Sequence, residues 1–294
     1  MQDLQLDIFD HSRDVMLRND VVGALQQRDA SSARSAWRTL RDEFPRDDML
    51  LPCGVLIGAL EPPTSGPPFV GYDAVRDARR LLAIEIEPSA QRVFGEQGGV
   101  NWVAPLWRDM AERASRLPYR SDRSEEHAAP LWLRACDWQR AAEAVARIES
   151  WRRIPAPLGW MAEASFRLEG LDATWPLLAE LAWLAPARCR DLASRLGDAS
   201  FEKLQAQFDA SFEGEGDATD FAWFPAWVLT EKPGLAGLVG SARPSLDSAP
   251  ERAMRLMVEL LRLERQGRHH EVIERRKHLR DTHSSLYAAY IRRR

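Results

Sequence analysis

Apolar residues recur along this chain at intervals of three and four, and no stretch alternates convincingly enough to read as a strand. Val15, Val22 and Leu25 fall on one helical face, with Met16 beside them. Ala33, Trp37, Leu40 and Phe44 repeat the pattern until Pro45 ends it. Asp29 lies between the two runs as a short joint, which suits an antiparallel helix pair. Further on, "LWLRACDWQRAAEAVARIESW" (131–151) reads as helix, tight turn, helix. The segment 158–186 reads the same way, with Gly170 at its turn. The expected fold class is all-α, built from antiparallel helix hairpins.

The turns themselves recur. Cys136 and Gly170 occupy matching positions 34 residues apart, and Gly267-Arg268 marks a further turn. After each joint an apolar residue follows at a similar offset: Ala33, Ala141, Trp175 and Val272. Pro45 and Pro186 close their second helices at comparable distances. A period near 34 with paired helices resembles the tetratricopeptide (TPR) repeat, and segments 12–45, 131–186 and 254–291 carry the resemblance. Its usual small and aromatic positions are irregular here, and 71–120 and 196–245 do not align. The resemblance implies a divergent TPR-like α-solenoid that binds another protein on its surface, without saying which residues line that surface. The physical logic is independent of the family: one amphipathic hairpin cannot bury its apolar face alone, so hairpins stack. Trp132, Trp138, Trp151, Trp160, Trp175 and Trp183 sit in these helices and are expected to pack between them, rather than to line a peptide groove.

Three stretches interrupt the pattern. "EPPTSGPPFVG" (61–71) holds four prolines and two glycines and is expected to be a stiff, non-helical loop. "EGEGDATD" (213–220) is acidic and glycine-rich, an expected mobile loop, and "SDRSEEHAAP" (121–130) is a weaker break. None is long enough to force separate domains. The expected organisation is an N-terminal peptide tail, 1–11, followed by one helical-repeat domain, 12–294.

Composition narrows the setting. The chain has 294 residues, 45% of them hydrophobic, which is enough for a sizeable core. A net charge of −4 makes no global demand for nucleic acid. Cys53, Cys136 and Cys189 are odd in number and far apart, which argues against a disulfide framework and fits a reducing cytoplasm. Asp3, Asp7 and Asp10 stand where a signal peptide would be basic, and no run approaches the ~20 apolar residues of a membrane span. Lys203, Lys232 and Lys277 are the only lysines; the preference for Arg suggests a GC-rich, bacterial genome.

Candidate chemistry is sparse. The sequence holds no phosphate loop, dinucleotide fingerprint, nucleophile elbow or HExxH motif, so the chain is read as non-enzymatic, with no cofactor and no metal. His269, His270, His278 and His283 cluster, but His270 and His278 are about two helical turns apart, too far to chelate one ion unaided. Residues 262–294 contain ten Arg or Lys against four Asp or Glu, including Arg275, Arg276, Lys277 and Arg280 as a possible basic patch. Such a patch can guide a polyanion, or it can be the polar outer face of a terminal capping helix. Capping is the expectation, and direct nucleic-acid binding is not expected.

The one sharp motif lies at the N-terminus. Gln5-Leu6-Asp7-Ile8-Phe9 resembles the bacterial sliding-clamp-binding peptide, Gln-Leu-(Ser or Asp)-Leu-Phe, with Ile8 as an isosteric replacement. The resemblance implies that Gln5 hydrogen-bonds at the rim of the clamp pocket. Leu6 would fill one apolar subsite, Ile8 and Phe9 the other, and Asp7 would act as a spacer. The expected function is an adaptor that joins the clamp to a second, unidentified protein. Two alternatives stand beside it: a general TPR-like scaffold whose N-terminus packs on its own core, and, less favoured, an enzyme with an unrecognised site.

Overall fold

The computed structural model describes residues 13–61, 66–214, 216–244 and 247–293. Among them every regular element is helical and no strand occurs. No helix among them is long and apolar enough to cross a membrane. Contacts divide the chain after Asp137 into two units.

The first unit opens with a hairpin, α1 (Arg13–Gln26) and α2 (Ala30–Glu43). Arg28 takes a left-handed conformation, φ 57°, which reverses the chain. Asp29 then caps α2, its carboxylate accepting the Ser32 N–H at 3.0 Å. Leu25 is buried as predicted, but its buried companions on α1 are Leu17 and Val21, while Val15 and Val22 are half-buried. Two apolar stripes compete on this helix. The stripe with a strict four-residue step stacks one side chain above another and wins, leaving Met16 46% exposed. Arg13 pairs with Glu43 at 2.8 Å across the hairpin, and Arg18 pairs with Asp47, in the chain that follows it, at 2.6 Å. Helix α3 (Leu50–Leu60) packs on α2, and the half-buried Trp37 donates its indole N–H to Leu50 O at 2.8 Å.

Residues 71–120, which fit no repeat, form a different construction. Helix α4 (Tyr72–Leu81) runs into a π-helical turn, Leu82–Ile86, and then into α5 (Glu87–Ala114). Helix α5 breaks at Gly95, φ 75° and ψ 172°. Its two limbs meet closely: a Cβ on Gly99 would lie 2.7 Å from the backbone nitrogen of Gln91. The predicted break at 121–130 is itself partly helical. Ser121–Glu126 is a 3-10 helix, and His127 Nδ1 caps α6 (Ala128–Arg134) by accepting the Ala129 N–H.

The second unit comprises α7 (Trp138–Ala146), α8 (Pro155–Glu169), α9 (Leu171–Leu184), α10 (Pro186–Leu196), α11 (Ala199–Ser211), α12 (Phe224–Glu231), α13 (Ala236–Val239), α14 (Ala249–Arg265), α15 (His269–Thr282) and α16 (Ser284–Arg292). Prolines at the first or second position open α8, α10, α12 and α14, where their missing N–H costs no intrahelical bond. Helices α7, α8 and α9 pack in succession, as do α14, α15 and α16. The core between them is aromatic, with Trp175, Phe201, Phe208, Phe221, Phe224 and Trp227 in mutual contact. Trp132, Trp160, Trp175 and Trp183 are buried, while Trp138 and Trp151 are half-buried. The acidic stretch 213–220 contains built turns rather than bare loop. Asp217 caps the 3-10 helix Ala218–Trp223, and Asp220 accepts the Gly216 N–H at 2.8 Å.

Positive φ recurs at four joints. Arg28, Cys136, Gly170 and Gly267 all have positive φ, and the residues five positions later, Ala33, Ala141, Trp175 and Val272, are all buried.

Candidate functional site

The residues singled out by the sequence are only partly placed. Gln5, Leu6, Asp7, Ile8 and Phe9 lie outside the described residues. The basic candidates all fall on α15, where acidic partners answer most of their charge. Arg275 pairs with Glu259 at 3.1 Å and Arg280 with Asp281 at 3.2 Å, while Lys277 is exposed. Arg276 reaches Glu264 at 3.0 Å and the Tyr290 hydroxyl at 2.8 Å. Tyr290 also donates to Glu264, so one three-group knot joins α14, α15 and α16. Burial, reinforced by the Glu264 carboxylate, pushes the Tyr290 hydroxyl up to about 12.

Among the described residues no group of three or more His, Cys, Asp or Glu side chains is placed to hold a metal ion. His283 instead packs edge-on to the Trp223 ring, centroids 4.8 Å apart, at the joint of α15 and α16. Burial, then the charges of Arg252 and His278, lower its pKa below the ordinary histidine range. The unfolded chain therefore takes this proton first as pH falls, and folding loses stability as pH drops below about 6.5. The melting temperature is expected to fall less between pH 7 and pH 5 in His283→Phe than in the parent. Equal falls in thermal melts at the two pH values would remove His283 from the cause.

Two buried carboxylates in the second unit are structural. Glu180, 2% exposed, holds Arg152 at 2.6 Å and accepts the Arg243 N–H at 2.7 Å. Glu251 pairs with Arg255 at 2.9 Å and accepts the Asp247 N–H at 3.1 Å. Together they pin the chain that runs from α13 to α14. Burial pushes the Cys53 thiol up to about 12 and raises that of Cys189 further, which leaves both with little thiolate at neutral pH.

The first unit carries a concave feature lined mostly by apolar side chains. A groove of about 410 Å³ runs between α3, the α4–π-turn junction and the second limb of α5. Its floor on α3 is small-sided: a Cβ at Gly58 would meet nothing within 4 Å. Val55, Leu82, Ile86, Leu106 and Met110 line its sides. Leu81, Leu82, Glu85 and Ile86, at and beside the π-turn, all border the groove. Leu81 and Ile84 stay 49% and 61% exposed. Sequence reasoning passed over this groove because its walls come from 50–60 and 71–120, where no repeat aligned. A usable signal existed in "LLPCGVLIGAL" (50–60), an apolar helix with Gly54 and Gly58 one turn apart.

No protein-family model, curated protein or solved structure matches the chain.

Proposed function

We propose that the protein is a non-enzymatic adaptor whose N-terminal peptide tethers a body of TPR-like helix hairpins to the bacterial sliding clamp. The observation that carries the reading is Gln5-Leu6-Asp7-Ile8-Phe9, which departs from the clamp-binding peptide only by Ile for Leu. Burying Leu6, Ile8 and Phe9 contributes about 1.5–3 kcal/mol for each side chain, and the ordering of a short segment offsets part of this, giving micromolar-class affinity. The TPR-like arrangement of the body is supported by the four joints with a buried residue five positions on. Helical hairpins of this kind offer extended surfaces for a second protein. The acid-paired guanidinium groups on α15 support a terminal polar face over a nucleic-acid site.

A peptide of residues 1–12 should bind a bacterial sliding clamp at micromolar strength in fluorescence polarisation. Leu6→Ala with Phe9→Ala should abolish that binding, whereas Asp7→Ala should be tolerated. The same double substitution in the full chain should leave its melting temperature unchanged. Absent clamp binding in the parent, together with a lowered melting temperature in the double variant, would replace the tether with a packed N-terminus on a general scaffold.

A further inference from the structure

The second unit carries a local surplus of positive charge. Ser200, Lys203, Leu204, Gln207 and Ser211 recur at three- and four-residue steps and form one stripe about 16 Å long on α11. Two hollows of about 310 and 430 Å³ lie along this stripe and meet at Glu231, the last residue of α12. Lys203 and Lys232 border the first hollow, and Arg292 and Arg293 border the second. Glu231, its side chain 12% exposed, is the one acid that lines either hollow, and Arg293 pairs with it at 2.7 Å.

The other three cations are exposed and stand unanswered. Among the described residues no acid pairs with Lys203, Lys232 or Arg292. None of the three has an Asp or Glu three or four positions away in the sequence. Arg265 adds a further cation beside Lys232, where it donates to Pro233 O at 2.7 Å. The acids of α11, Glu202 and Asp209, fall about half a turn from the stripe, and Arg190 holds Asp209 at 2.9 Å. Asp217 and Asp220, in the acidic stretch that follows α11, accept N–H groups of their own turns. Four lining cations thus face one carboxylate in a chain whose net charge is −4.

That sign selects an anionic partner, and the lining separates the classes of anion. A nucleic-acid strand repeats a phosphate at every nucleotide and has no donor in its phosphodiester backbone, so it would set phosphate against Glu231. Its bases would need open rings, and the aromatic ring bordering the cleft, Trp227, is 1% exposed. An extended peptide carries N–H donors between its acidic side chains. Those donors suit Glu231, Gln207 and the two serine hydroxyls, and about five extended residues span the stripe.

We propose that the cleft between α11, α12 and the end of α16 docks an acidic peptide segment of a partner protein. Its carboxylates lie on Lys203 and Lys232 at one end and on Arg292 at the other. Exposed charges of this kind attract modestly and are screened by salt. The inference names the chemistry of the adaptor's second partner and rests on the adaptor reading only in making that partner a protein.

Fluorescence polarisation of the full chain with labelled hexaglutamate should give a Kd on the order of 100 µM at low salt, weakening as salt rises. Lys203→Glu with Lys232→Glu should weaken this binding at least about tenfold. Lys277→Glu with Arg280→Glu, on α15, makes the same change in net charge and should leave the affinity within about twofold. All four side chains are exposed, and circular dichroism checks that both variants fold. Should the lysine variant fail, Arg292→Glu reads the other end of the cleft and should weaken hexaglutamate likewise. An oligothymidylate of matched charge should bind more weakly than hexaglutamate. No hexaglutamate binding below about 1 mM, equal losses in the two paired variants, or tighter binding of the oligothymidylate would each overturn the proposal. The assay contains no clamp, so its failure and the failure of clamp binding are read separately.

Discussion

Trp175→Ala is expected to cost about 3–5 kcal/mol, the largest loss for a single side chain in the second unit. Trp175 is 2% exposed and stands five residues after the Gly170 joint, where α9 turns its first inward face. Its ring meets Phe201 at 5.4 Å and Phe224 at 6.4 Å between centroids, and those two rings meet each other at 5.3 Å. Phe221 stacks on Phe224 at 4.7 Å, so the cluster has no loose member able to swing into the vacated space. Alanine would therefore leave a cavity as well as losing the transfer free energy of the indole. Trp175→Phe keeps an aromatic face toward Phe201 and should lose much less. Urea unfolding followed by circular dichroism reads both variants. A loss below about 1 kcal/mol in Trp175→Ala would mean that the aromatic cluster repacks freely and is not the unit's organising core.

The second large effect concerns a glycine with no room for a methyl group. At Gly99 an added Cβ would lie 2.7 Å from Gln91 N, 2.8 Å from Gln91 Cα and 2.9 Å from the Ala90 carbonyl carbon. All three are backbone atoms of the opposing limb of α5, so nothing can move aside without parting the limbs. Gly99→Ala should destabilise by about 1–3 kcal/mol or more, against the helix propensity that ordinarily favours alanine. The corresponding fall in melting temperature is on the order of 5 °C. Gly58→Ala is the matched control. Its Cβ would meet nothing within 4 Å, so only the propensity term acts and stability should rise by up to about 1 kcal/mol. Opposite shifts in thermal melts support the close crossing at Gly99. A Gly99→Ala variant as stable as Gly58→Ala would show that the two limbs do not approach as described.

The groove and the glycine crossing illustrate why the candidate site was hard to read from the chain. Arg28, Gly58, Leu82 and Met110 come from separate segments that periodicity treats one at a time. Their convergence depends on the π-turn at Leu82–Ile86 and on the break at Gly95. The basic run on α15 was legible as charge, but its partners Glu259, Glu264 and Tyr290 were not, because they belong to α14 and α16. The resemblance at Gln5–Phe9 was legible without any fold, since five consecutive residues carry it.

By itself the sequence determined what short-range forces decide. Helical spacing, the Asp29 cap, the prolines that open helices and the joints at Cys136, Gly170 and Gly267 act within a few residues, and these fix the all-helical character of the described residues. Only the tertiary structure decided which of two apolar stripes on α1 is buried, where the chain divides into units, how the limbs of α5 cross, and that Arg28 is left with a donor to spare. Those outcomes depend on the packing of whole surfaces. A side chain becomes buried, paired or stranded through neighbours that the local sequence does not contain.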